Sequence, residues 1–306
     1  MTTHDRPHRR REWLGRVGCH VIPVVIGIIG VVAAAFPGRA AEQSTAAQMP
    51  PARSGYALVW SDEFDHDGAP DPATWSYEEG FVRNNEAQWY TRNRRENARV
   101  EHGMLVIEAR KERFTNPAHD PAKPPQGRNA PFAEYTSASL NTLGRRSMRY
   151  GRIEVRARLP QGRGVWPAIW TLGTNRGDVP WPACGEIDIM EFVGHTPDQT
   201  HGTVHWQREG QPASSGQALA IDRPWDDFHV YAVDWTAEAI TISVDDRTVL
   251  TYDVARANQA DGSNPFRKPH YLLLNLALGG SWGRTIDDSI FPQTFLVDYV
   301  RVYERR

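Results

Sequence analysis

Residues 185–194 read Gly185-Glu186-Ile187-Asp188-Ile189-Met190-Glu191-Phe192-Val193-Gly194, three carboxylates within six positions of a stretch otherwise made of strand formers. β-Branched Ile187 and Ile189 with aromatic Phe192 predict an extended strand, whose side chains alternate between faces. Glu186 and Asp188 then point the same way and Glu191 the opposite way, into the packing set by Ile187 and Ile189. An unpaired carboxylate buried there is strongly destabilising. A β-bulge near Met190 resolves the conflict, because one extra residue returns Glu191 to the face of Glu186 and Asp188.

Three acids on one face suit glycoside cleavage, which needs one carboxylate as nucleophile and a second, protonated, as acid for the leaving oxygen. Two long glutamates around a short aspartate fit that division, with reach enough for the roughly 5–5.5 Å carboxyl separation of retaining enzymes. The same oxygens fit a solvated acidic strand face or a cation site equally well.

The flanking sequence narrows the choice. Val59-Trp60-Ser61-Asp62-Glu63-Phe64, Asn84-Asn85-Glu86, Gly164-Val165-Trp166-Pro167-Ala168-Ile169-Trp170, the Glu186 to Glu191 stretch, His201-Gly202-Thr203-Val204-His205-Trp206 and Val297-Asp298-Tyr299-Val300-Arg301-Val302-Tyr303 together resemble glycoside hydrolase family 16, specifically its laminarinase-like endo-β-1,3-glucanases. The resemblance covers roughly residues 56–306. It implies that Glu186 is the nucleophile, Glu191 the acid/base and Asp188 their helper. It also implies an all-β, concanavalin A-like jelly-roll sandwich of two curved antiparallel sheets, the concave one carrying the cleft. The extra Met190 looks like the laminarinase, agarase and carrageenase branch; the lichenase branch has the shorter E-x-D-x-E.

The chain opens with Arg9-Arg10-Arg11 and an apolar run from Val21 to Phe36, closed by Gly38-Arg39-Ala40-Ala41. This pattern predicts a signal peptide over 1–41. The alternative is an uncleaved anchor, for which the run falls short of the 18 or more residues of a spanning helix. Residues 42–55, rich in Ala, Gln, Ser and Pro, read as a disordered spacer. Without residues 1–40 the chain carries 29 Lys and Arg against 35 Asp and Glu, a formal net charge of −6 that argues against a nucleic-acid partner. Cys184 is then the sole cysteine, which excludes an intramolecular disulfide. The expectation is a secreted monomer without stable membrane association, acting on β-glucan with no catalytic cofactor.

From Tyr56 onward strand patterns predominate. Arg152 to Leu159 alternates polar and apolar over eight residues, and Met104–Ala109, Phe228–Trp235, Ala239–Val244, Tyr271–Leu278 and Leu296–Tyr303 are further strand candidates. Many strands punctuated by Gly, Pro, Asn and Asp predict a sandwich or barrel. The Pro-rich stretch from Asn116 to Pro131 is too long for a hairpin and reads as a surface loop.

Ten tryptophans remain after signal removal, and indole suits the apolar C–H faces of sugar rings. Trp166 and Trp170 match family positions that pack against sugars, with Trp206 and Trp282 as further candidates; Trp60 and Trp235 are assigned to the core. His205 shares strand parity with His201, and the family pattern places it beside the catalytic strand. The two histidines do not form a metal site, since strand rise sets them roughly 13 Å apart. Asn84 and Arg156 are further sugar-ligand candidates. Glu63, the backbone carbonyl of Gly103 and Asp298 match the family's structural calcium position, an oxygen set suited to a hard cation. A non-catalytic glucan-binding protein on the same scaffold is the competing class; such members lack the catalytic glutamates that this chain keeps.

Overall fold

In the computed structural model, which describes residues 54–306, the alternating stretch around Ile153 forms the strand Gly151–Arg158 at the middle of a ten-stranded sheet. It pairs antiparallel with His229–Trp235 on one side and Gln293–Arg305 on the other. Ala239–Val244 and Arg247–Asp253 extend the first flank; Leu105–Thr115, Phe132–Ser137 and Gln88–Tyr90 extend the second. The seven-stranded second sheet runs Gln211–Ala220, Gln199–Arg208, Glu186–Glu191, Val165–Gly173, His270–Leu278, Ser139–Asn141 and Ser76–Tyr77. Neither sheet closes on itself, and pairing is antiparallel except where Gln88–Tyr90 meets Phe132–Ser137.

The main core lies between the sheets. Ile153, Val155 and Ala157 from the larger sheet meet Ile187, Val204, Leu272, Leu274 and Leu276 from the smaller one. Every residue of His270–Leu278 is buried, yet its two faces differ. Leu272, Leu274, Leu276 and Leu278 enter the main core, while Tyr271 and Leu273 join a separate cluster with Ala168 and Trp170. The smaller sheet is thus covered on both sides near its centre, and its outer, concave face carries the cleft.

The bulge forms beside Met190. Asp188 opposes Trp170, but the next pairing is Met190 with Ile169, and on the other side the register jumps from Asp188–Thr203 to Glu191–His201. Ile189 and Met190 therefore both turn into the core, at 1% and 0% exposure. Ile189 is buried in either register, so the bulge adds Met190, whose burial contributes roughly 1.5–3 kcal/mol, against about 1 kcal/mol for a lost ladder hydrogen bond. The bulge wins on that balance, and it also spares the core a carboxylate.

Two glycines make this geometry possible. Gly185 turns the chain into the strand at φ +83°, where a Cβ would stand 2.8 Å from a Pro265 side-chain carbon. Gly202, one residue past His201, lets the sheets approach: a Cβ there would meet Ile242 at 2.8 Å.

Residues 1–53, which hold the expected leader and nearly all of the spacer, lie outside the described residues. Among the described residues no helix is long and apolar enough to cross a membrane.

Candidate active site

Glu186, Asp188 and Glu191 line one cavity of about 410 Å³ on the outer face of the seven-stranded sheet. The neighbouring strand supplies Trp166, Ala168, Trp170 and Leu172, alternate residues whose parity sends them to the same face while Val165 and Ile169 enter the core. Two indoles hold the outer carboxyls: Trp181 Nε1 donates to Glu186 Oε2 at 3.0 Å, and Trp166 Nε1 donates to Glu191 Oε1 at 3.0 Å. His205 stands opposite Glu186 in the ladder, its Nε2 3.2 Å from Asp188 Oδ2 and 3.8 Å from Glu186 Oε1.

Burial dominates the electrostatics. It pushes Glu191 to about 8, reinforced by the Asp188 charge and opposed by the Trp166 hydrogen bond. Burial likewise raises Asp188 to about 8, against a hydrogen bond with Glu186 that lowers it. Glu186 is held well above the ordinary glutamate range, by burial first and then by the charge of Asp188, with His205 and Arg83 pulling the other way. Three such neighbours titrate as a set, and near neutral pH protons are shared among them. The arrangement supplies a protonated acid at Glu191 and a carboxyl pair at Glu186 and Asp188 that ionises as its environment changes. Glu186, Asp188 and His205 also offer ligand atoms within 4.8 Å of one another, the cation-site alternative left open by the spacing. A cation there would occupy the two carboxyls and displace their proton, which conflicts with acid/base use.

Asn84 reaches the same cavity, its Nδ2 3.3 Å from Glu86 Oε1. Trp170 lines it too, with Nε1 held by Asn275 Oδ1 at 2.7 Å. Trp282 packs edge-on against Trp166 at 5.6 Å and against His201 at 4.9 Å, beside the Glu191 end.

Two expected sugar ligands lie elsewhere. Trp206 follows His205 directly, so strand alternation turns it to the opposite face, into the core against Tyr252 and Phe266. Arg156 belongs to the ten-stranded sheet, where its Nη1 donates to Asp298 Oδ2 at 2.6 Å and its guanidinium covers Phe228 at 4.7 Å. Its partner is thus Asp298; Glu154 pairs with Arg152. Trp235 is buried as expected, its Nε1 donating to the Phe266 carbonyl at 2.9 Å.

The calcium position needs a similar revision. Leu105 opposes Val297 and Asp62 opposes Val300, so Glu63 and Gly103, just off the ends of Tyr56–Asp62 and Leu105–Thr115, flank the strand that carries Asp298. Both Glu63 oxygens, however, accept from Arg301 at 3.0 and 2.8 Å, and Asp298 Oδ2 is taken by Arg156. The Glu63 carboxylate therefore does not fit the donor set; Asp298 Oδ1 and main-chain carbonyls remain.

Sequence patterns did not single out Trp181, Arg83 or Asn275, and named Glu86 only within the motif Asn84-Asn85-Glu86; all four line the cavity. Trp181 sits in an irregular segment between Pro180 and Pro182, where no periodicity signals a direction.

The model of the glycosyl hydrolases family 16 matches residues 85–300. A β-glucanase from Rhodothermus marinus is 46% identical over 259 residues, spanning 81% of this chain and 85% of that one. The solved laminarinase from Rhodothermus marinus superposes with a TM-score of 0.71 at 44% identity, covering 82% of this chain and 98% of the other. A solved non-specific endo-β-1,3(4)-glucanase of the same family gives a TM-score of 0.73 at 41% identity over 83% of this chain and 93% of its own.

Proposed function

We infer, because the chain belongs to glycosyl hydrolases family 16, that the bulged strand Glu186–Glu191 is its catalytic strand. The protein is an endo-acting glycoside hydrolase of β-1,3-glucan, and the reaction requires no cofactor. The observation that carries this reading is the return of Glu191 by the bulge to the open face of Glu186 and Asp188, each glutamate anchored by its own indole.

The proposed mechanism is double displacement. Glu191, kept protonated by burial, gives its proton to the glycosidic oxygen while the Glu186 carboxylate attacks the anomeric carbon; the C–O bond to the leaving sugar breaks and a glycosyl ester forms. Asp188 holds a proton between Glu186 and His205 Nε2, so the nucleophile ionises without leaving a second bare charge beside it. Glu191, now ionised, takes a proton from water, whose oxygen attacks the anomeric carbon on the face the leaving sugar vacated, opposite the ester, and so releases the Glu186 carboxylate. Laminarin digests followed by NMR are expected to show the β-anomer first, with weaker cleavage of mixed-linkage glucan and none of cellulose. An α-anomer as first product removes Glu186 from the nucleophile's role; activity confined to agarose or carrageenan overturns the linkage.

A structural calcium ion is proposed on Asp298 Oδ1 and main-chain carbonyls near Gly103. With Glu63 and Asp298 both facing arginines, the site is weak and exchangeable, since affinity follows ligand charge. Millimolar calcium is expected to raise the melting temperature, and excess chelator to reverse the gain. A melting temperature indifferent to both removes the ion from this position.

A further inference from the structure

Arg83 is placed rigidly at one wall of the cleft. Asn84 and Asn85 after it take left-handed backbone conformations, at φ +56° and +53°. The turn is pinned where Ser281 N donates to the Asn84 carbonyl at 2.9 Å and Ala87 N to the Leu278 carbonyl at 2.9 Å. The Arg83 guanidinium lies over the Trp170 ring, 4.9 Å from its centroid. Its Nη2 donates to both carboxylate oxygens of Glu78, itself steadied by Ser139 Oγ at 2.6 Å. Nη1 is buried with no hydrogen-bond partner, and the rest of the Arg83 side chain, 21% exposed, lines the cleft.

An unmet guanidinium N–H in a buried position is costly, and a group of this kind beside a cleft calls for a partner from water or from a ligand. The stacking also changes what Trp170 offers. Its N–H is taken by Asn275 and one ring face by Arg83, so sugar recognition at this wall passes to the guanidinium. We propose that Arg83 is a specificity-determining substrate-binding residue whose guanidinium donates to a hydroxyl oxygen of a glucose unit in the arm of the cleft lined by Trp170 and Tyr271. Fork geometry makes the assignment selective: one nitrogen faces Glu78 while another faces the sugar, a division that the single ammonium of lysine does not reproduce. The inference rests on the glucan reading above.

Laminaritetraose is titrated by calorimetry into Glu186→Gln, which binds without turnover. Adding Arg83→Lys in that background is expected to weaken binding about 10-fold to 100-fold, the scale of a charged hydrogen bond. In the otherwise native enzyme, Arg83→Lys raises KM for laminarin with kcat nearly unchanged and the melting temperature preserved. The pair Arg83→Met with Glu78→Gln, which leaves no orphaned carboxylate, shows the same loss of tetraose binding. Unchanged tetraose affinity in Arg83→Lys overturns the proposal, as does a joint fall of kcat and melting temperature with KM unmoved. Failure of the Glu186→Gln parent to bind tetraose sinks the glucan reading itself.

Discussion

Replacing Glu186 with Gln is expected to lower kcat on laminarin by about 10⁴-fold or more, because a neutral amide neither attacks the anomeric carbon nor forms the ester. Shape and the Trp181 contact survive, since the Gln carbonyl accepts the same indole N–H that Glu186 Oε2 accepts at 3.0 Å. Stability separates a chemically dead enzyme from an unfolded one. Glu186 has a folded-state pKa above its unfolded value, so its contribution is fully present at acid pH and is lost as pH rises through the folded pKa. Gln has no such loss. The variant should therefore melt above the parent, with a gap that widens as pH rises above the ordinary glutamate range. A variant retaining substantial activity removes Glu186 from the chemistry; one that melts far below the parent shows that the carboxylate supports the fold.

Glu191→Gln produces a different signature. Without its proton donor, kcat should fall by about 10²–10⁴-fold on glucan but far less on an aryl glycoside, whose leaving group needs little protonation. The parent's rate should decline as pH rises through about 8, where Glu191 ionises, and the variant should lose that alkaline limb. Azide, which needs no general base, should restore turnover of the aryl substrate as a glycosyl azide. Persistence of the limb in Glu191→Gln would assign it to another group, with Asp188, also near 8, the first to test.

Strand parity carried much of the site. The conflict between Glu191 and the Ile187–Ile189 face was legible without any structure, and the register shift beside Met190 resolves it in the expected place. The same rule, applied one residue past His205, would have sent Trp206 to the core; its motif match obscured that. Arg156 failed for a different reason. Alternation tells which residues share a face, but whether a strand joins one sheet or the other depends on partners far along the chain, here His229–Trp235 and Gln293–Arg305. Trp181 and Arg83 were illegible because each is aimed by an irregular loop. Arg83 owes its direction to two left-handed asparagines and to hydrogen bonds with residues almost two hundred positions away.

The loop from Asn116 to Pro131 is closed at its base by Asn116 and tied across its middle by Asn129. Asn116 N donates to the Pro131 carbonyl at 2.9 Å, and its Nδ2 donates to the carbonyls of Ala130 at 2.7 Å and Arg128 at 3.0 Å. The far end of the loop brings Arg128 to the cleft, where Nη2 donates to the Val82 carbonyl. The wall is therefore a detachable module. Exchanging its length and side chains between Asn116 and Pro131 is expected to leave the flanking strands Leu105–Thr115 and Phe132–Ser137 in place, as an unchanged melting temperature in a loop-swapped variant would show. Substrate range can diverge there by insertion or deletion while the carboxylates, on a separate sheet, keep their positions.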